Sequence, residues 1–213
     1  EKPVPLPDFA PHLLEKLNKI KKGSGRINSC IDLDLQKRAS EILKKHQKIL
    51  YGNDIHNLSI LIVKLPTKEV KVYLGNTRES NKDYACENDM IVAPRSSGSI
   101  LKPFLYASMI EDGELIPRQL VPDIPVLMGN FAPKNFELTF DGAVPASQAL
   151  ARSLNVPAVL MLNKYGVEKF YYVLKKSGIQ TLNRPPSHYG LSLILGGAET
   201  TLWDITDIYS NLV

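Results

Sequence analysis

The stretch Arg95-Ser96-Ser97-Gly98-Ser99-Ile100-Leu101-Lys102-Pro103-Phe104 sets a serine and a lysine three residues apart at the predicted start of a helix. Residues i and i+3 share a helix face, so the Lys102 stem folds back towards the Ser99 hydroxyl one turn earlier. This is the spacing of a nucleophile and its base, because a serine hydroxyl is inert near neutral pH until a neighbour takes its proton. Gly98 permits a close backbone approach before the serine, and Pro103 is tolerated because first-turn amides have no intrahelical partner. The helix reads on through Phe104, Leu105, Ala107, Met109 and Ile110 to a stop near Gly113. Its apolar content predicts burial, and a buried lysine is easier to deprotonate. The competing reading of an isolated Ser-x-x-Lys is a helix-capping serine followed by a surface lysine.

A second element stands downstream. Ser153-Leu154-Asn155 falls between a helical pattern from Ala146 to Ser153 and another beginning at Pro157, a residue favoured at helix starts. A short turn there aims the Ser153 hydroxyl and the Asn155 amide into a cleft; alternatively, Asn155 merely ends a helix and Ser153 caps a carbonyl. In this order, the two elements resemble those of the penicillin-recognising serine transpeptidases, whose set is Ser-x-x-Lys, Ser-x-Asn and Lys-Thr-Gly. The segment Ala93 to Phe104 resembles the nucleophile segment of class A penicillin-binding proteins. Asn135-Phe136, Asp141-Gly142-Ala143-Val144 and Ala149 to Val159 resemble the 1C subgroup, and Leu191 to Ala198 continues the likeness. The resemblance runs from about Arg26 to Val213.

The resemblance implies an α+β, penicillin-binding-protein/β-lactamase-like transpeptidase fold, with a helical subdomain beside an incomplete antiparallel sheet. Residues 1–25 would be a linker arm and residues 26–213 a partial transpeptidase domain. It implies that Ser99 attacks a D-Ala-D-Ala peptide, Lys102 accepts its proton, Ser153 relays a proton to the leaving amine, and Asn155 binds the peptide backbone. The Ser99 amide, at a helix N-terminus, would supply one oxyanion donor. Peptidoglycan stem peptides and β-lactam antibiotics are the implied partners, and no cofactor or metal is implied. The implied location is the extracytoplasmic, periplasmic face of the cytoplasmic membrane, in a parent chain with an N-terminal anchor and a glycosyltransferase domain. Two neighbouring readings are a β-lactamase or DD-carboxypeptidase and a non-catalytic binding module. Against a class A β-lactamase, no Glu-x-x-Leu-Asn follows Asn155.

The third motif is not found. Lys176-Ser177-Gly178 is literally close, but it closes the helical run Val167, Phe170, Tyr171, Val173, Leu174, and a basic last turn followed by glycine is how helices stop. The sequence therefore reads as a fragment ending before the strand that carries the motif and the second oxyanion donor. Losing one such donor costs on the order of 3 to 4 kcal/mol, so a poor enzyme is expected of the chain by itself.

Composition is compatible with these readings. The chain has 213 residues and 44% apolar content, ordinary for one globular domain or most of one. No run approaches a membrane span or a signal peptide. A formal net charge of +4 includes basic clusters at Lys16, Lys19, Lys21, Lys22, Arg26 and at Lys37, Arg38, Lys44, Lys45, Lys48. Their helical spacing, without interleaved aromatics, reads as solvated faces rather than a nucleic-acid groove, and no nucleic-acid partner is expected. Cys30 and Cys86 make neither a metal quartet nor a Cys-x-x-Cys pair, and read as separate thiols. His12, His46, His56 and His188 lack ligand spacing.

Elsewhere, a proline-rich arm leads to a helix over Leu13 to Lys21 and a Gly23-Ser24-Gly25 break. Leu35, Ala39, Ile42, Leu43, His46, Ile49 and Leu50 recur at helical period behind Asp34 as N-cap. Leu58 to Leu65, a Pro66-Thr67-Lys68-Glu69 turn and the alternating Val70, Val72, Leu74 predict a hairpin with an apolar edge left exposed or covered by another chain. Residues 76–90 and 121–142 read as turns with short extended pieces. Thr200 or Thr201 is expected to cap a last helix through Leu202, Ile205, Ile208 and Leu212.

Overall fold

The computed structural model describes residues 8–21, 25–78 and 82–212. In chain order its helices are α1 (Pro11–Lys21), α2 (Leu33–Leu50), α3 (Lys102–Glu111), α4 (Ala146–Ala151), α5 (Asn155–Tyr165), α6 (Val167–Ser177), α7 (Pro186–Tyr189) and α8 (Leu202–Ser210). The strands are β1 (Ile60–Lys64), β2 (Glu69–Leu74), β3 (Arg95–Ser96), β4 (Leu120–Asp123), β5 (Gly142–Pro145) and β6 (Glu199–Thr200). The expected α+β class holds. The chain divides into two units, Glu1–Pro94 with Thr201–Val213 and Arg95–Thr200. The proline-rich stretch over residues 1–7 and most of the Gly23-Ser24-Gly25 break lie outside the described residues.

In the first unit the predicted hairpin forms. β1 and β2 pair antiparallel from Ile60 opposite Leu74 to Lys64 opposite Glu69, with a bulge between Ile62 and Val63. α2 lies on β2 and α8 on β1. Ala39 and Leu43 of α2 bury against Val72 and Leu74, with Leu58 and Ile60 at the margin. The face that α2 buries is turned from the one its apolar residues predict: Ala39 and Leu43 of that set are buried, but with Gln36 and Gln47, whereas Leu35, Ile42 and Ile49 are exposed. The reason is that Gln36 serves as a strand partner for β2. Its Oε1 accepts from the Tyr73 amide at 2.9 Å, and its Nε2 donates to the carbonyls of Tyr73 at 2.9 Å and Phe9 at 2.8 Å. A buried amide satisfied at both ends avoids the desolvation penalty that otherwise keeps glutamine outside. The N-cap of α2 is Asp32 rather than Asp34, accepting from the Leu35 amide at 3.0 Å. Thr201 caps α8 in the same way, accepting from the Asp204 amide at 2.9 Å. Cys30 is exposed and Cys86 half-buried, both as free thiols.

The second unit is built round α5. Val156, Ala158, Val159 and Leu162 are fully buried where α5 meets α3, α6 and the 3-10 turn over Gly190–Leu195. Leu105 of α3, Phe170 and Leu174 of α6, and Leu193 and Ile194 of that turn complete the core, each without solvent exposure. Burying such a side chain contributes about 1.5 to 3 kcal/mol, which makes this cluster the anchor for the loops above it. β4 pairs with β5 and β3 with β6, both antiparallel. α6 ends at Gly178 with φ 118°, so Lys176-Ser177-Gly178 is the helix stop that its composition predicts.

Candidate active site

Lys102 is the first residue of α3 and is 1% exposed. Ser99 does not share that helix, contrary to the expectation. It lies in the turn before it, where Gly98 takes φ 53° and i to i+3 hydrogen bonds run from Ile100 to Ser97, Lys102 to Ser99 and Phe104 to Leu101. The positive φ keeps Gly98 itself out of a right-handed helix, and the i to i+3 bonds that follow make residues 99–101 a tight lead-in, so the α-helix starts only at Lys102. The Ser99 amide thus belongs to that turn and not to the helix terminus, where the macrodipole is strongest. Gly196, at φ 99°, backs the turn so closely that a Cβ there would stand 2.7 Å from the Gly98 amide nitrogen.

The second element comes to the first. α4 ends at Ala151, α5 begins at Asn155 rather than at Pro157, and the residues between form a sharp turn in which Ser153 is left-handed with φ 55°. This aims both the carbonyl and the hydroxyl of Ser153 at Lys102. Lys102 Nζ donates to Ser153 O at 2.7 Å, Ser153 Oγ at 3.2 Å and Asn155 Oδ1 at 2.8 Å, which occupies all three ammonium hydrogens. Burial pushes the Lys102 pKa down to about 8, because desolvation disfavours the ammonium. When neutral, the amine keeps two N–H donors for these oxygens and gains a lone pair that can take a proton.

Ser99, Ser153 and Asn155 line one cleft of about 530 Å³, together with Asn135, Phe136, Glu137, Thr139, Arg152 and Leu154. Phe136 stands at its rim 98% exposed. Arg152 forms an ion pair with Asp141. The four residues singled out in the sequence are thus gathered in one unit, although Lys102 directs its bonds to the Ser153 turn and not to the Ser99 hydroxyl. Asn135, quoted above only as part of the 1C resemblance and given no role there, is 4% exposed on the same cleft.

The Penicillin binding protein transpeptidase domain matches residues 58–210 of the chain. The chain belongs to this family. It is 32% identical over 98% of its length to Penicillin-binding protein 1C of Escherichia coli, and 30% identical over 84% to Penicillin-binding protein 1F of Bacillus subtilis. It spans 27% and 24% of those two proteins, about a quarter of their length. Among solved structures, the penicillin-binding protein PonA1 of Mycobacterium tuberculosis superposes with a TM-score of 0.73 at 20% identity, over 95% of this chain and 56% of that one. A structure of PonA1 in complex with penicillin V gives 0.71 at 21%, over 96% and 56%. These likenesses carry the fold of a penicillin-binding transpeptidase domain, and the 1C resemblance read from Asn135-Phe136 and Ala149 to Val159 agrees with the first relative.

Proposed function

We propose that this chain contributes the acyl-transfer site of a peptidoglycan DD-transpeptidase, acting on D-Ala-D-Ala stem peptides and taking β-lactams as pseudo-substrates. The observation that carries the reading is the buried Lys102 amine, held by Ser153 and Asn155 on the wall of the cleft that Ser99 lines. In the first half-reaction Ser99 Oγ attacks the penultimate D-Ala carbonyl and Lys102 takes its proton. The peptide C–N bond then breaks: Ser153 hands a proton to the departing D-Ala amine and takes one from Lys102 in its place, leaving an ester on Ser99. In the second, an acceptor amine attacks the ester, forming the cross-link and returning the serine hydroxyl. Asn155 donates to the Lys134 carbonyl through Nδ2 at 2.9 Å while its Oδ1 faces Lys102, so its amide is held in one orientation at the cleft edge, suited to a peptide backbone. The working place of such chemistry is the extracytoplasmic face of the membrane, in a protein anchored there.

The test is product partition. The full-length protein, given a D-Ala-D-Ala stem pentapeptide and a glycine or D-amino-acid acceptor, should release D-alanine and form the acceptor amide. Release with water as the sole acceptor would assign a carboxypeptidase instead, and no release in the full-length protein would leave only a binding module.

A further inference from the structure

Behind Asn135, which lines the cleft, lies a buried carboxylate that the acyl-transfer scheme does not use. Asp123, at the end of β4, is 1% exposed. Its Oδ1 accepts from Asn135 Nδ2 at 2.7 Å and its Oδ2 from the Asp141 amide at 3.0 Å. Asn135 in turn has every amide atom engaged. Its Nδ2 also donates to the Thr139 carbonyl at 2.9 Å, and its Oδ1 accepts from the backbone amides of Asn155 at 3.0 Å and Val156 at 3.2 Å. Those two amides are first-turn donors of α5, which have no partner within the helix.

Side-chain amides can usually turn over with little penalty. This one cannot: turned over, its carbonyl would face the Asp123 carboxylate and the Thr139 carbonyl, and its NH2 would face two N–H groups. The negative charge on Asp123 therefore fixes the amide, and the amide fixes the start of α5, where Ser153 is held left-handed and Asn155 points Oδ1 at Lys102. The same residue pins the opposite wall, since the Leu138 amide donates to the Asn135 carbonyl at 3.1 Å across the turn that carries Phe136 and Glu137. We propose that Asp123 and Asn135 are a pair of positioning residues for acyl transfer: they act through Ser153 and Asn155 and not on the reacting atoms, and together they set the geometry by which those two residues hold Lys102. The proposal rests on the transpeptidase reading above. The charges that face the pair are Arg152, from the turn after α4, and Asp141 and Glu137, from the loop before β5; Arg152 couples to all three carboxylates.

The test is an exchange of the two residues in the full-length protein. Asn135→Asp keeps the shape and the acceptor for the α5 amides but sets carboxylate against carboxylate, and two such groups at hydrogen-bond distance hold one proton between them near neutrality. Ser99 acylation by benzylpenicillin in this variant, divided by that of the parent at each pH, should fall as pH rises, by on the order of tenfold per unit once the shared proton leaves. Adding Asp123→Asn restores one charge and one amide, and should recover most of the rate and flatten the ratio. Asp123→Asn alone, which is the milder change, should lose about tenfold with the parent's pH profile. A constant ratio in Asn135→Asp, or no rescue in the double variant, overturns the proposal. Hydrogen exchange at the Asn155 and Val156 amides, read in the same variants without penicillin, judges the pair independently: protection should drop with pH in Asn135→Asp and return in the double variant, and unchanged protection overturns it. A parent that takes up no penicillin would instead sink the transpeptidase reading, and leaves the exchange result to decide the pair.

Discussion

Lys102 Nζ lies 2.8 Å from Asn155 Oδ1, joining the first residue of α3 to the first residue of α5 across 53 positions of sequence. Two helix starts are thereby locked together by one buried amine. The energetics of the cleft follow from how that amine is charged.

With its pKa near 8 through burial, Lys102 is mostly an ammonium at pH 7 and mostly an amine at pH 9. If the amine is the base, penicillin acylation should rise with pH through about 8 and level off above it. Lys102→Arg should abolish the rise and reduce the rate by two or more decades, since a guanidinium does not deprotonate in this range. Stability follows the same group. Between about 8 and the ordinary 10.5, the unfolded chain binds the proton that the folded chain has released, so folding stability gains with pH across that window. Acylation that is flat from pH 6 to 9 in the parent would remove Lys102 from the base role.

Ser153 separates backbone from hydroxyl. Its left-handed φ of 55° costs a non-glycine residue about 1 to 2 kcal/mol. Ser153→Gly should melt higher than Ser153→Ala by about 1 kcal/mol of stability, since only the alanine keeps that strain. Both keep the carbonyl that accepts from Lys102 at 2.7 Å, and both should be slow in acylation, because the relaying hydroxyl is gone. Parent-like acylation by the glycine variant would take Ser153 Oγ out of the relay.

Gly196 tests the support of the nucleophile. A Cβ there would stand 2.6 Å from Ser96 Oγ and 2.9 Å from Gly98 Cα, so Gly196→Ala must displace the turn that ends in Ser99. Gly190→Ala is the control, as its φ is 54° and no heavy atom lies within 4 Å of the added carbon. The control should lose on the order of 1 to 3 kcal/mol of stability through its backbone conformation alone and keep its acylation rate. Gly196→Ala should lose more stability and slow acylation at least tenfold; equal rates in the two variants would separate Gly196 from the site.

What the sequence made legible was local chemistry. Ser99, Lys102, Ser153 and Asn155 stand out by spacing and turn signals, the hairpin by alternation, and Lys176-Ser177-Gly178 as a helix end by its basic residue and glycine. What it hid depends on distant partners. The helix start is delayed to Lys102 by a turn of i to i+3 bonds, and Gly196 gives that turn room from nearly a hundred positions away. The buried face of α2 was legible only in part: Ala39 and Leu43 are buried, but Gln36 finds its partners on β2, and no periodicity scale rewards a buried amide. Asn135 was quoted for its resemblance alone, because the partners that give it a role, Asp123 of β4 and the first amides of α5, lie 12 to 21 positions away.

The most direct measurement is the site of covalent labelling. Benzylpenicillin incubated with the full-length protein, followed by proteolysis and mass spectrometry, should add one penicilloyl mass to the peptide holding Gly98 to Lys102, and Ser99→Ala should abolish it while leaving the melting transition in place. An adduct that persists in Ser99→Ala, or one that maps to Ser153, would contradict the assignment of Ser99 as the nucleophile.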